Sequence, residues 1–137
     1  MKQSNAKIHL NGQVVPGLGT GKFFVTQENY KKQFIKKIGY IPYEGTLNLK
    51  IKNEERSYLV KNTTGILITG FRENNKTFGQ VTCLNCTLKK DQKKTKGTIV
   101  LPQKTRYTDI IEIIAPSNLR KKLNLKNNDV VEITLNV

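Results

Sequence analysis

A chain of 137 residues suits one domain built on one buried core. Hydrophobic residues make up only 36%, and no run approaches the ~20 apolar residues of a membrane-spanning helix. The 24 Lys and Arg outweigh 10 Asp and Glu, a formal net charge of +14, which favours anionic partners: nucleotides, nucleic acid or an acidic membrane surface.

Ile8 to Val15 reads as a strand pair or bent strand, with Asn11-Gly12 as the hairpin-type turn. A glycine-rich turn follows over Gly17 to Gly21, and then a strand over Lys22 to Val25. Thr26 is placed to cap a helix whose Glu28 suits the positive end of the helix dipole. Tyr30, Phe34, Ile35 and Ile38 make one apolar stripe, flanked by solvated lysines, and Gly39 ends the helix. Thr46 to Ile51 is an alternating strand, with Leu47, Leu49 and Ile51 turned to the core. Asn53 to Lys61 is polar and reads as a loop with some extended character.

Gly65 to Phe71 and Phe78 to Leu84 read as strands joined by a turn at Glu73-Asn74-Asn75-Lys76. Lys89 to Lys96 is basic and without period, an expected exposed loop of solvated charge. Gly97 to Leu101 and Ile110 to Ile114 are apolar strands. Pro116-Ser117 opens a short helix carrying Leu119 and Leu123. Asn127-Asn128-Asp129 turns the chain into a last strand, Val130 to Leu135. Many short strands, two short helices and no βαβ alternation predict a mainly β fold, a compact barrel with helical caps, in a single domain over 1–137. The leading residues, Met1 to Asn5, carry no apolar signal region, and the expected location is cytoplasmic.

Three stretches carry chemistry. In Gly17-Leu18-Gly19-Thr20-Gly21-Lys22, alternate glycines let backbone amides approach an anion closely, and Lys22 adds charge. The spacing is neither that of a Walker A loop nor that of a dinucleotide fingerprint. Thr46 and Asn48, two apart on a strand, share one face and offer two neutral oxygens. Magnesium accepts so small a protein ligand set when substrate phosphates complete its shell. Glu112 interrupts four isoleucines and by alternation shares its face with Ile110 and Ile114. An unpaired charge is costly there, which favours a site role over a structural ion pair.

The remaining reactive residues read as structural. Cys83 and Cys86 form a CxxC at the end of a β-like run, without a second pair to complete a zinc site. His9 alternates with Ile8 and Leu10 and belongs on a strand's polar face.

At this point the chain resembles the archaeal-type CTP-dependent riboflavin kinases. The resemblance rests on Gly17 to Lys22, on Gly39-Tyr40-Ile41-Pro42-Tyr43-Glu44-Gly45-Thr46-Leu47-Asn48, and on Glu112-Ile113-Ile114-Ala115-Pro116-Ser117-Asn118-Leu119-Arg120. It implies a six-stranded cradle-loop (RIFT-type) β-barrel and transfer of the CTP γ-phosphoryl group to the 5′-hydroxyl of riboflavin. It further implies that Gly17, Leu18, Gly19, Thr20, Gly21 and Lys22, with Ser117, Asn118, Leu119 and Arg120, bind the nucleotide. Thr46 and Asn48 would hold Mg2+, Thr105 and Glu112 would bind the flavin, and Glu112 would orient or deprotonate the ribityl hydroxyl. Tyr43 or Tyr107 could pack on the isoalloxazine. Two other readings stand beside it. Leu123 to Ile133 resembles the helix–turn–strand of swapped-hairpin transcription regulators, and the +14 charge would suit DNA. A non-catalytic flavin- or nucleotide-binding protein is the other.

Overall fold

The computed structural model describes residues 7–17, 25–103, 105 and 107–136. Nine strands lie among them: β1 (Lys7–Val15), β2 (Leu47–Lys50), β3 (Ile66–Ile68), β4 (Phe71–Glu73), β5 (Lys76–Phe78), β6 (Val81–Lys90), β7 (Lys93–Pro102), β8 (Ile110–Ile114) and β9 (Val130–Asn136). Three helices are interleaved: α1 (Glu28–Lys37), α2 (Asn53–Asn62) and α3 (Leu119–Lys122). Six strands run antiparallel in the order β6-β7-β8-β2-β1-β9, and β9 returns to pair with β6, closing the barrel. The length of β6 makes this possible: its first residues pair with β3 and its last with β9, while β7 pairs along the whole strand. Closure leaves none of the six as a free edge.

Alternation sorts the side chains. Leu10, Leu49, Leu88, Ile99, Ile113 and Ile133 fill the interior, and Leu119, Leu123 and Leu125 join the same core from α3 and the residues after it. A second core lies on the outer wall. There Tyr30 and Phe34 of α1 meet Ile68, Val81, Cys83 and Val100. The β4–β5 hairpin adds a stacked Phe71–Phe78 pair at 4.6 Å, with the Tyr30 ring edge-on to Phe71 at 4.9 Å. Half of the expected helical stripe is therefore buried, whereas Ile35 faces outward.

Several expectations are corrected. β1 is one continuous strand, and Asn11-Gly12 lies inside it, opposite Glu132 and Val131. A Cβ on Gly12 would stand 2.8 Å from that of Leu49, so this glycine serves close packing across the barrel and not a turn. Asn53 to Lys61 is helical, not a loop: Glu54, Glu55 and Arg56 suit a first turn and early helix, Glu55 caps the Lys52 amide at 3.0 Å, and Leu59 anchors the buried side. Lys89 to Lys96 is exposed as expected, but it forms the tip of the β6–β7 hairpin around a turn at Asp91-Gln92. Gly65 to Phe71 divides into β3 and β4, and Phe78 to Leu84 into β5 and β6. The turn between β4 and β5 lies where expected, Asn74 and Asn75 both adopting positive φ (52° and 62°).

The helix boundaries also move. α1 is preceded by Gln27, which makes no side-chain cap bond, in place of Thr26. Val25 is helical and not in a strand. α3 begins after Asn118, whose side chain accepts from the Lys121 amide at 3.3 Å, so Pro116 and Ser117 precede it. Leu18 to Lys22, and the rest of the strand expected up to Val25, lie outside the described residues.

Candidate functional site

β2 and β8 are neighbours in the barrel, and their register sets Asn48 opposite Glu112. Because Leu47, Leu49, Ile111 and Ile113 occupy the interior, both polar side chains are on the outer wall, and both are buried there. Thr46, just before β2, is half-buried, and its hydroxyl donates to Asn48 Oδ1 at 2.8 Å. Two adjacent ligands of magnesium stand about 2.9 Å apart when metal–oxygen distances are 2.0–2.1 Å. The pair of neutral oxygens therefore has the spacing of one edge of that shell. Among the described residues no cluster of three or more His, Cys, Asp or Glu could hold a metal. A divalent ion here would depend on ligand phosphates for most of its charge balance.

Glu112 lies beside the pair. Burial pushes its carboxyl upward from the ordinary range, while a hydrogen bond with Thr46 and the charge of Arg56 pull it back. Its Oε2 is buried without a hydrogen-bond partner among the described residues. Such an orphan acceptor is uncommon, and it leaves a hydrogen-bond position open on this carboxylate among the described residues.

A 140 Å³ cavity opens next to Thr46, walled by Tyr43, Gly45, Ala115 and all four residues Ser117, Asn118, Leu119 and Arg120. The backbone bond from the Tyr43 amide to Ala115 O (2.8 Å) ties the two walls together. Asn118 Nδ2 donates to the Tyr43 hydroxyl at 3.2 Å. Arg120 donates through Nη2 to Val15 O (3.2 Å) and Asn127 Oδ1 (3.0 Å), which brings α3 against the end of β1. Gly17 follows that end, and a Cβ built on it would lie 3.9 Å from Asn48 Nδ2. The fold thus gathers Gly17, Thr46, Asn48, Glu112 and Ser117 to Arg120 into one region, although 100 residues separate Gly17 from Ser117.

Thr105 borders a different cavity, of 280 Å³, with Arg56, Leu59, Val60, Gln80 and Gln103 among its walls. Tyr107 is next to it, its amide donating to Thr105 Oγ1 at 3.2 Å, whereas Tyr43 belongs to the smaller cavity. Arg56 links the two regions: it walls the Thr105 cavity, its Nε donates to Ile110 O at 3.0 Å, and its charge acts on Glu112. Sequence reasoning missed Arg56, because its segment was read as a loop. The signal was present as Arg56 one turn from Leu59 in a helix opened by two glutamates.

The residues read as structural are so in the fold. Cys83 and Cys86 are free, buried thiols, each pushed up to about 12 chiefly by burial. His9 is exposed on β1, 3.3 Å from Thr134 Oγ1.

Comparison with known proteins places the chain in a family. A family model for CTP-dependent riboflavin kinases, described as domain of unknown function DUF120, matches residues 14–135. A riboflavin kinase of Archaeoglobus fulgidus is 42% identical over 129 residues, covering 92% of this chain and 54% of the relative. One from Picrophilus torridus is 40% identical over 133 residues, covering 96% and 58%, and one from Thermoplasma volcanium 41% over 133, covering 93% and 57%. The chain thus spans a little over half the length of these curated relatives. With the match running from the end of β1 into β9, over most of the chain, the chain belongs to the CTP-dependent riboflavin kinase family.

Proposed function

We propose that this chain transfers the γ-phosphoryl group of CTP to the 5′-hydroxyl of riboflavin, with Mg2+, giving FMN and CDP. The observation that carries the reading is the register pair Asn48–Glu112 beside Thr46, which itself walls the cavity of Ser117 to Arg120. In this reading Thr46 and Asn48 hold the magnesium, which neutralises phosphate charge when bound. Gly17 to Lys22 and Ser117 to Arg120 receive the nucleotide. Backbone amides of a glycine turn and the Arg120 guanidinium are groups suited to phosphate oxygens. Thr105 and Glu112 receive the flavin.

Phosphoryl transfer needs positioning and charge stabilisation more than covalent help from the protein. Glu112 orients the ribityl 5′-hydroxyl and takes its proton. The hydroxyl oxygen bonds to the γ-phosphorus, and the bond to the β–γ bridging oxygen breaks as CDP leaves. A carboxylate whose proton affinity is raised by burial is a better base for this than an exposed one.

The test is a phosphorylation assay with riboflavin and magnesium, comparing CTP with ATP and following FMN by chromatography. FMN formed with CTP, and lost in a folded Thr46→Ala/Asn48→Ala protein, is the expected outcome. Folded wild-type protein that yields no FMN with either nucleotide overturns the kinase reading. Binding of riboflavin and CTP without turnover would leave a ligand-binding protein in its place.

A further inference from the structure

A cavity of 610 Å³ takes no part in the site described above, and its volume is in the range of small-molecule sites. It opens on the outer wall of the barrel. There Asn85 and Thr87 of β6 pair with Thr98 and Lys96 of β7, alternating with Leu84, Leu88 and Ile99, which face the interior. Tyr40, Ser117 and Lys122 of α3 supply further walls. The chain leading from α1 to β2 separates this cavity from the one beside Thr46: Tyr40 walls the first and Tyr43 the second. Ser117 is the one wall residue that the two share, and the cavity beside Thr105 shares none with it.

A row of hydrogen bonds organises the wall. The Tyr40 hydroxyl lies 2.7 Å from that of Thr98 and 3.2 Å from Ile114 O, and Thr98, itself buried, donates to Asn85 Oδ1 at 3.1 Å. The Asn85 oxygen is thereby occupied, while its Nδ2 and the hydroxyls of Thr87 and Ser117 have no hydrogen-bond partner among the described residues. Lys96 and Lys122 add two ammonium groups. No Asp or Glu lines the cavity, and the sole ion pair among the described residues is Lys90–Asp91, at the hairpin tip, so neither ammonium has a carboxylate partner there. Two cations beside free N–H and O–H donors, with no acid among them, suit a doubly charged anion such as a phosphomonoester. Ile38, Pro116 and the Tyr40 ring give the same cavity an apolar surface on which the rest of a ligand can lie. We infer that this cavity is a second ligand site, taking a phosphomonoester with a nucleoside-like body, the phosphate held by Lys96 and Lys122. This goes beyond the kinase reading and does not depend on it.

The experiment follows the backbone amide NMR signals of the whole chain during titration with AMP, with adenosine and with inorganic phosphate. AMP should move the signals of Asn85, Thr87, Gly97 and Thr98 to saturation. Adenosine and phosphate, each carrying half of the ligand, should bind at least about tenfold more weakly at the same signals. Lys96→Ala/Lys122→Ala should weaken AMP there by about ten- to a hundredfold. Lys32→Ala/Lys61→Ala removes the same charge from exposed positions outside the cavity, and should stay within about twofold of wild type. Cavity signals that stay still under AMP overturn the inference. So does equal weakening by the two double variants, which would leave only the general field of the molecule, and so does phosphate that binds as tightly as AMP, which would leave no role for the nucleoside body. The signals of Thr46 and Asn48 report the site of the kinase reading separately, so a failure there and a failure here are told apart.

Discussion

Glu112 is the single buried acid among the described residues, and its environment makes a definite pH prediction. Its carboxyl is raised in the folded protein, chiefly by burial, so the protonated form is the one the fold favours. The stability it contributes is fully present below the carboxyl's unfolded value and is lost as pH rises through the higher folded one. In metal-free protein, Glu112→Gln should therefore melt higher than wild type at pH 7, and the advantage should shrink as the pH is lowered through 5 to 4. Thermal melts across that range check it, and a glutamine variant less stable at pH 7 would contradict it. The same substitution should depress FMN formation by about a hundredfold, a typical share for a general base. Cys83 and Cys86, buried and with thiols raised to about 12, should resist a thiol reagent in native protein and react stoichiometrically once it is unfolded. Glu112 was legible in the sequence because an acid within an isoleucine run stands out against strand alternation. Arg56 was not, because in a polar segment nothing distinguishes a buried arginine from a solvated one until its neighbours across the fold are known.

At the scale of elements, close approach and capping decide more than propensity does. Gly12→Ala should destabilise the barrel by about 1–3 kcal/mol, since the added Cβ meets Leu49 at 2.8 Å and Ile133 at 3.3 Å, measured by denaturant unfolding. Asn118→Ala removes the cap on the Lys121 amide and the donor to Tyr43, and should cost about 1 kcal/mol while loosening the wall of the 140 Å³ cavity beside Thr46. A higher KM for CTP with riboflavin KM unchanged would show that second effect. Asn11-Gly12 has the composition of a hairpin turn, and only the seven-residue pairing of β1 with β9 shows that it is interior strand. The basic tip of β6–β7 misled the reading in the opposite sense. Strands whose side chains are solvated on both faces lack the alternation by which a half-buried strand is recognised.

For the whole molecule, the +14 charge and the closed barrel act together. Closure lets the outer wall of β2 and β8 carry buried polar groups while the interior stays apolar. The positive field acts on a nucleotide polyanion and hardly at all on neutral riboflavin. Raising salt from 0.05 to 0.5 M should therefore raise KM for CTP several-fold and leave KM for riboflavin near its starting value, as steady-state kinetics in each substrate would read. Equal salt sensitivity for both substrates would assign the charge no steering role.

The sequence alone determined the mainly β class, the strands with clear alternation, the face that Glu112 shares with Ile110 and Ile114, and the stretches on which the family resemblance rests. Those features are local, carried by side-chain period and short spacing. Tertiary structure decided that β9 closes onto β6, that Asn48 stands opposite Glu112, that Gly17 lies by Asn48, and that Arg56 approaches β8 without touching the carboxylate. Each of these joins residues between 31 and 64 positions apart in the chain, or whole strands, and such pairings are set by strand register and core packing, which no single segment encodes.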